Sequence, residues 1–128
     1  VGPIAKDISH AYCLDIALPI NEAVQVLMNS PYSRIPVYKK NQHNIVGVIH
    51  KKVLLKLKRQ IAEGGHIKIE SFMRQAVYIF PKWSLDKVLR IMRRNHTHIA
   101  FTVSEYGDVT GIVTLDDLLQ QIFGEIGA

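Results

Sequence analysis

Two stretches of this chain can be laid over one another without a gap. Ser33-Arg-Ile-Pro-Val-Tyr38 and Ile45-Val-Gly-Val-Ile49 fall on Thr97-His-Ile-Ala-Phe-Thr102 and Val109-Thr-Gly-Ile-Val113 at a constant offset of 64 residues. The same offset carries Gly47 to Gly111 and Leu54 to Leu118, and it carries Val24, Leu27 and Met28 to Val88, Ile91 and Met92. An internal repeat of about 60 residues is one supersecondary unit used twice, and a unit that small does not close a core alone. Any fold for this chain has to build the same pattern two times.

The grammar of each copy is readable. In the first, Cys13 to Ala17 has the alternation of a short strand, broken by Pro19. Ile20, Ala23, Val24, Leu27 and Met28 then follow the i, i+3, i+4, i+7, i+8 spacing of a core-facing helix, with Asn21 as its expected N-cap and Pro31 as its stop. Ile35 to Tyr38 reads as a strand, Lys39 to Asn44 as a polar turn, Ile45 to Ile49 as the returning strand and Lys51 to Ala62 as a second helix. Gly64-Gly65 links the copies, and Ile69, Phe72 and Met73 suggest one helical turn on the core. The second copy repeats the order. Ala76 to Phe80 is a strand, Ser84 caps a helix carrying Leu85, Val88, Leu89, Ile91 and Met92, and His98–Val103 with Val109–Val113 forms a hairpin. Leu115 to Phe123 is the last helix, ended by Gly124. The expected fold is therefore α/β (α+β), two βαββα repeats related by pseudo-twofold symmetry, spanning 1–64 and 65–128.

Composition narrows the function classes. With 48% hydrophobic and 21% charged residues over 128 positions, disorder is excluded as the default. No 18-residue apolar run is present, which excludes a helical membrane span. The single Cys13 forms no intrachain disulfide, which fits a reducing compartment. The chain opens on Val1 and reads as a piece of a longer protein. A net charge of +5 permits contact with phosphates, nucleic acid or an anionic membrane face. Lys51, Lys52, Lys56, Lys58 and Arg59 concentrate that charge in one helix, where a solvated face is the simplest reading.

Gly111-Ile-Val-Thr-Leu-Asp-Asp117 joins a strand to a helix start and is the candidate site. Free amides and the helix dipole favour an anion there. The Thr114 hydroxyl can donate to a phosphate oxygen, and the Asp117 carboxylate can accept from the two neighbouring hydroxyls of a ribose. The same pair also fits a capping box, in which Thr114 and Asp117 only start the helix. There is no lysine in the motif, so it is not the Gly-x-x-x-x-Gly-Lys phosphate loop.

Taken with the repeat, these residues resemble the CBS domain family, named after cystathionine β-synthase, whose members occur as tandem pairs. Tyr32-Ser-Arg-Ile-Pro-Val-Tyr38 and Gly111-Ile-Val-Thr-Leu-Asp-Asp-Leu118 carry the resemblance over essentially the whole chain. His98-Ile-Ala-Phe-Thr-Val-Ser-Glu-Tyr-Gly107 and Ile122-Phe-Gly-Glu-Ile126 narrow it to the CorC/hemolysin-C type, to which the cyclin-M magnesium transporters are similar. The resemblance implies an adenine-nucleotide site in the cleft between the copies, with ATP and Mg²⁺ as the usual ligand and AMP or ADP in related modules. Thr114 would then meet the phosphates and Asp117 the ribose. Tyr32 and Ser33 would line the pocket with Arg34 nearby, and His98 would approach the phosphates. Adenine contacts would come from Asp7 to Tyr12, Ile8 and Tyr12 among them. At the pseudo-symmetric position His50 replaces Thr114 and Val53 replaces Asp117, so a second site is expected to be lost or weak. The resemblance further implies a regulatory module that forms a homodimer. It would act on the transmembrane transport domain of its own full-length chain, at the cytoplasmic face of a bacterial inner membrane.

Other constellations are less specific. His96 and His98, with His50, lack a third ligand at zinc spacing. Trp83 and Tyr106 read as cover for core edges or an interface. No Ser-His-Asp or Cys-His arrangement is placed, and neighbours such as Asp116 and Asp117 point about 100° apart on a helix, so no catalytic residues are assigned. Neither a helix-turn-helix nor an aromatic-basic sheet motif is present, so no specific nucleic-acid partner is assigned. The alternatives to nucleotide binding are a ligand-free dimerisation scaffold and non-specific binding of polyanions through the basic helix.

Overall fold

A computed structural model describes residues 1–127. The chain is mixed α/β, with the described elements forming two sheets and four α-helices. They are β1 (Lys6–Asp7), β2 (Leu14–Asp15), α1 (Ile20–Asn29), β3 (Arg34–Lys39), β4 (Asn41–His50), α2 (Leu54–Ala62), β5 (Tyr78–Ile79), α3 (Leu85–Arg94), β6 (Ile99–Val103), β7 (Val109–Thr114) and α4 (Leu115–Gly127). Two compact units result. One is Tyr12–Ala76, and the other combines Val1–Ala11 with Val77–Ala128. The lead segment of the chain thus belongs with the second copy, and the stretch that leads into the second copy belongs with the first.

In the 12–76 unit the sheet order is β2-β3-β4, with β2 parallel to β3 and β3–β4 an antiparallel hairpin. Leu14, Ala23, Val24, Leu27, Ile35, Val37, Ile49 and Leu57 form its core, so the apolar stripes of α1 and α2 are buried as their spacing predicts. Met28 departs from that stripe and is 42% exposed. Helix α1 starts earlier than Asn21. Pro19 is its N-cap, and its carbonyl accepts from Glu22 and Ala23 N–H. The polar turn expected over 39–44 contracts to the link at Lys40, whose φ of 75° reverses the chain so that Asn41 already lies in β4. Helix two begins as a 3₁₀ turn, Lys51–Val53, before α2.

In the other unit the order is β1-β7-β6-β5, with β6 parallel to β5 and the remaining pairs antiparallel. Ile79, Val88, Met92, Ala100, Val113 and Leu118 form the core, and Val1, Ile4 and Ala5 pack against it. The Val1 amine donates to the carbonyls of Pro81 and Trp83, each at 3.1 Å. Ser84 caps α3 as expected, accepting from Lys87 N–H at 3.2 Å. Trp83 covers the core edge, meeting Phe80 edge-on at 5.3 Å. Tyr106 does not. It stands 90% exposed in the β6–β7 turn. Helix α4 continues through Gly124 to Gly127.

The repeated glycines have a shared cause. A Cβ on Gly111 would stand 2.7 Å from Thr102 Oγ1 and 3.1 Å from the Lys6 carbonyl, because β1 lies along β7. A Cβ on Gly47 would stand 2.8 Å from Met73 Cε and 3.0 Å from the Arg74 carbonyl, where Arg74 bridges Val48. Each sheet takes up a lead segment at that point, and only glycine admits the approach. Both alanine variants are expected to lose about 1–3 kcal/mol, read by urea unfolding. Gly111→Ala should lose more, because Thr102 is buried and tied to Thr110 by a 3.0 Å hydroxyl contact whereas the Met73 end can swing away.

Candidate functional site

The junction between β7 and α4 is assembled by the sheet. Thr114 is the last residue of β7, opposite Ile99, and Leu115 N–H donates to the His98 carbonyl at 2.8 Å. Strand pairing therefore brings Thr114, His98 and the first turn of α4 together. Thr114 Oγ1 accepts from Asp117 N–H at 3.2 Å, which makes it a true cap. An accepting hydroxyl keeps its own proton for an anion.

The return half of a capping box is not made. Asp117 Oδ2 is buried and has no hydrogen-bond partner. Oδ1 has only Lys6 Nζ, at 3.8 Å, and the Lys6 side chain is 72% exposed. An exposed pair of that kind contributes at most about 1 kcal/mol. A buried polar atom left without a donor costs about 1–3 kcal/mol, more when charged. The first copy serves as an internal control. At the position of Thr114, His50 Nδ1 accepts from Lys52 N–H at 3.0 Å, so the cap survives. At the position of Asp117, Val53 packs on the core. The helix starts without the acid, which means that capping is not what Asp117 is for.

A groove of about 880 Å³ opens beside the junction, with Leu115 in its wall. Arg90, Arg93, His96 and His98 line it against a single carboxylate, Asp86. His96 turns the chain there with φ 50°. The excess of cationic and imidazole groups suits phosphate oxygens.

The remaining expected residues lie elsewhere. Ile8, in the same unit as Thr114, is fully buried. Tyr32, Ser33, Arg34 and Tyr12 belong to the 12–76 unit. The Tyr12 phenol donates to the Val26 carbonyl at 2.7 Å and its ring packs on the core. Tyr32 is 61% exposed, its amide held by Ser30 Oγ at 3.0 Å. Ser33 accepts from Lys51 N–H at 2.7 Å, and Arg34 sits opposite His50 in the hairpin. Sequence reading missed Lys6, Arg90 and Arg93. Helical spacing placed the two arginines off the apolar stripe of α3, but nothing local pairs Lys6 with a residue 111 positions away. Burial pushes the Cys13 thiol up to about 11. Its modification by a disulfide reagent at neutral pH is expected to be slow and to accelerate on unfolding, as followed by absorbance.

The CBS domain model matches residues 5–59 and 69–124, nearly the whole chain. The chain belongs to the CBS domain family. It is a tandem pair whose two matches follow the 64-residue repeat. This CBS pair is 34% identical over 107 residues to the magnesium and cobalt efflux protein CorC of Escherichia coli, covering 84% of the chain and 36% of the relative. It spans 24–36% of the length of the curated relatives it matches best. A CBS domain protein of Shewanella oneidensis superposes with TM-score 0.82 at 31% identity over 97% of both chains. The CBS domain of a bacterial CNNM/CorC family Mg²⁺ transporter, solved in complex with ATP, superposes with TM-score 0.81 at 25% identity. That match covers 96% of this chain and 86% of the other. No helix among the described residues is long and apolar enough to cross a membrane.

Proposed function

We propose that the Thr114–Asp117 junction of this CBS pair binds an adenine nucleotide and that the bound state regulates an ion-transport domain of the full-length protein. The observation that carries the reading is the buried, unpartnered Oδ2 of Asp117. A ribose diol supplies the two hydroxyl donors that such an acceptor lacks. Thr114 and the groove of Arg90, Arg93, His96 and His98 then face the phosphates. The likeness to a CBS domain solved with ATP favours adenosine triphosphate, with Mg²⁺ arriving on the phosphates, over ADP and AMP. Regulation follows if the nucleotide binds one conformation more tightly than another, since a ligand shifts an equilibrium only by that difference. The relation to CorC supports a place beside a magnesium or cobalt transport domain, at the cytoplasmic face of the inner membrane and as a homodimer.

Calorimetric titration with ATP, ADP and AMP, with and without Mg²⁺, tests the reading. Saturable heat from at least one nucleotide that competes with ATP is expected. Silence from all three would leave a ligand-free scaffold as the function.

A further inference from the structure

The outer face of α2 carries a feature that neither the fold nor the nucleotide reading uses. Leu55 is 71% exposed. Lys52, Lys58 and Arg59 are its neighbours at three or four residues along the helical surface, and Lys56 adjoins it. All four cations are exposed, and among the described residues none of them makes an ion pair. The opposite face is spoken for, with Leu57 buried and Val53, Leu54 and Ile61 packed on the core. Lys51, the fifth cation, has a structural task, donating from Nζ to the Ser30 carbonyl at 2.8 Å. Lys52 has none, and it stands at the positive end of the helix dipole, where local electrostatics disfavour it.

The repeat again provides a comparison. At the offset of 64 residues, α4 keeps the core Leu118 opposite Leu54. It replaces Lys52, Lys56, Lys58 and Arg59 by Asp116, Gln120, Ile122 and Phe123. The βαββα unit therefore folds without cations at these places. A second copy meeting this face across a twofold axis would set four cations against four.

From these observations we infer that the outer face of α2 is a docking surface for an anionic lipid bilayer. The cations would lie over the headgroups, and Leu55 would enter the interfacial layer. A cluster of lysine and arginine around an exposed apolar side chain is the pattern of helices that adsorb to such surfaces. Single-stranded nucleic acid fits less well, because aliphatic Leu55 offers no ring on which a base can stack. The inference does not depend on the nucleotide site, and nucleotide titration and vesicle binding can fail separately.

Co-sedimentation with vesicles of phosphatidylcholine containing about one third phosphatidylglycerol, against phosphatidylcholine alone, tests it. The chain is expected to bind the anionic vesicles only, and less tightly as salt rises. Each cation brought to the surface contributes about fivefold in partitioning, so Lys56→Gln with Arg59→Gln should lose about 25-fold. Gln25→Glu with Gln120→Glu makes the same change in net charge on other exposed positions and should lose less than about threefold. Leu55→Ser should lose about tenfold on vesicles and nothing on heparin. Equal binding to neutral vesicles, or no loss with Leu55→Ser, would overturn the inference in favour of general polyanion attraction. A dimer that Leu55→Ser converts to monomer in sedimentation velocity would overturn it in favour of a second copy.

Discussion

Asp117→Ala is expected to lower adenine-nucleotide affinity at least about 100-fold while leaving the chain as stable as before, or up to about 1 kcal/mol more stable. Both halves follow from the same atom. Two ribose hydroxyls donating to a carboxylate are charge-assisted hydrogen bonds, each contributing about 1.5–3 kcal/mol, and alanine offers them nothing. In the unliganded chain Oδ2 is buried without a donor, so its removal relieves a penalty. The exposed contact to Lys6 is worth little. Loss of a negative charge in the first turn of α4 offsets part of the gain, by about 0.3–1 kcal/mol. A capping role predicts the reverse pattern, with about 1 kcal/mol of stability lost and affinity unchanged in the folded fraction. Calorimetry together with urea unfolding separates the two, since they differ in both observables.

Phe101→Ala is expected to have the largest effect on stability, a loss of about 3–5 kcal/mol. Phe101 is fully buried in β6, an interior strand of its sheet, opposite Ile112 on one side and Tyr78 on the other. Interior strands have neighbours on both edges and cannot collapse readily into a void. Against a typical total of about 5–15 kcal/mol, the variant would stand near the edge of folding, with its melting temperature lowered by more than about 10 °C. The matching residue of the first copy, Val37, is also fully buried. Its smaller side chain leaves a smaller cavity, so Val37→Ala should lose less, and calorimetric melting of the two variants orders them.

What could be read in advance divides by range. Helices α1 and α3 were legible because their apolar spacing is periodic, and the hairpins because β-branched runs flank polar turns. The repeat offset transferred each assignment to the other copy. Where local chemistry competes, the reading slipped. Asn21 has a capping side chain, but Pro19 has the φ that starts a helix, and the helix takes the earlier start. Gly124 marks a helix end by propensity, yet α4 continues past it. Pairing across long separations left no local sign. The strand Lys6–Asp7 lies on β7 more than 100 residues later, and Arg74 bridges back to Val48. Of the candidate site, Thr114 and Asp117 were legible as a motif and His98 through the resemblance. That the carboxylate lacks a donor was not legible, because it depends on which groups the folded chain brings near it.

The two glycines that admit these lead segments also say something about how the chain can be divided. The repeat in the amino-acid sequence invites a cut near Gly64-Gly65, as though two independent modules had been tied together. A cut there would strand Lys6–Asp7 on the fragment that does not use it, and would leave Arg74 on the fragment that lacks Val48. Each product would expose the backbone edge over Gly111 or Gly47 that its own stretch of chain cannot fill. The gene is written as two halves in tandem, but the polypeptide has no seam where that writing would place one.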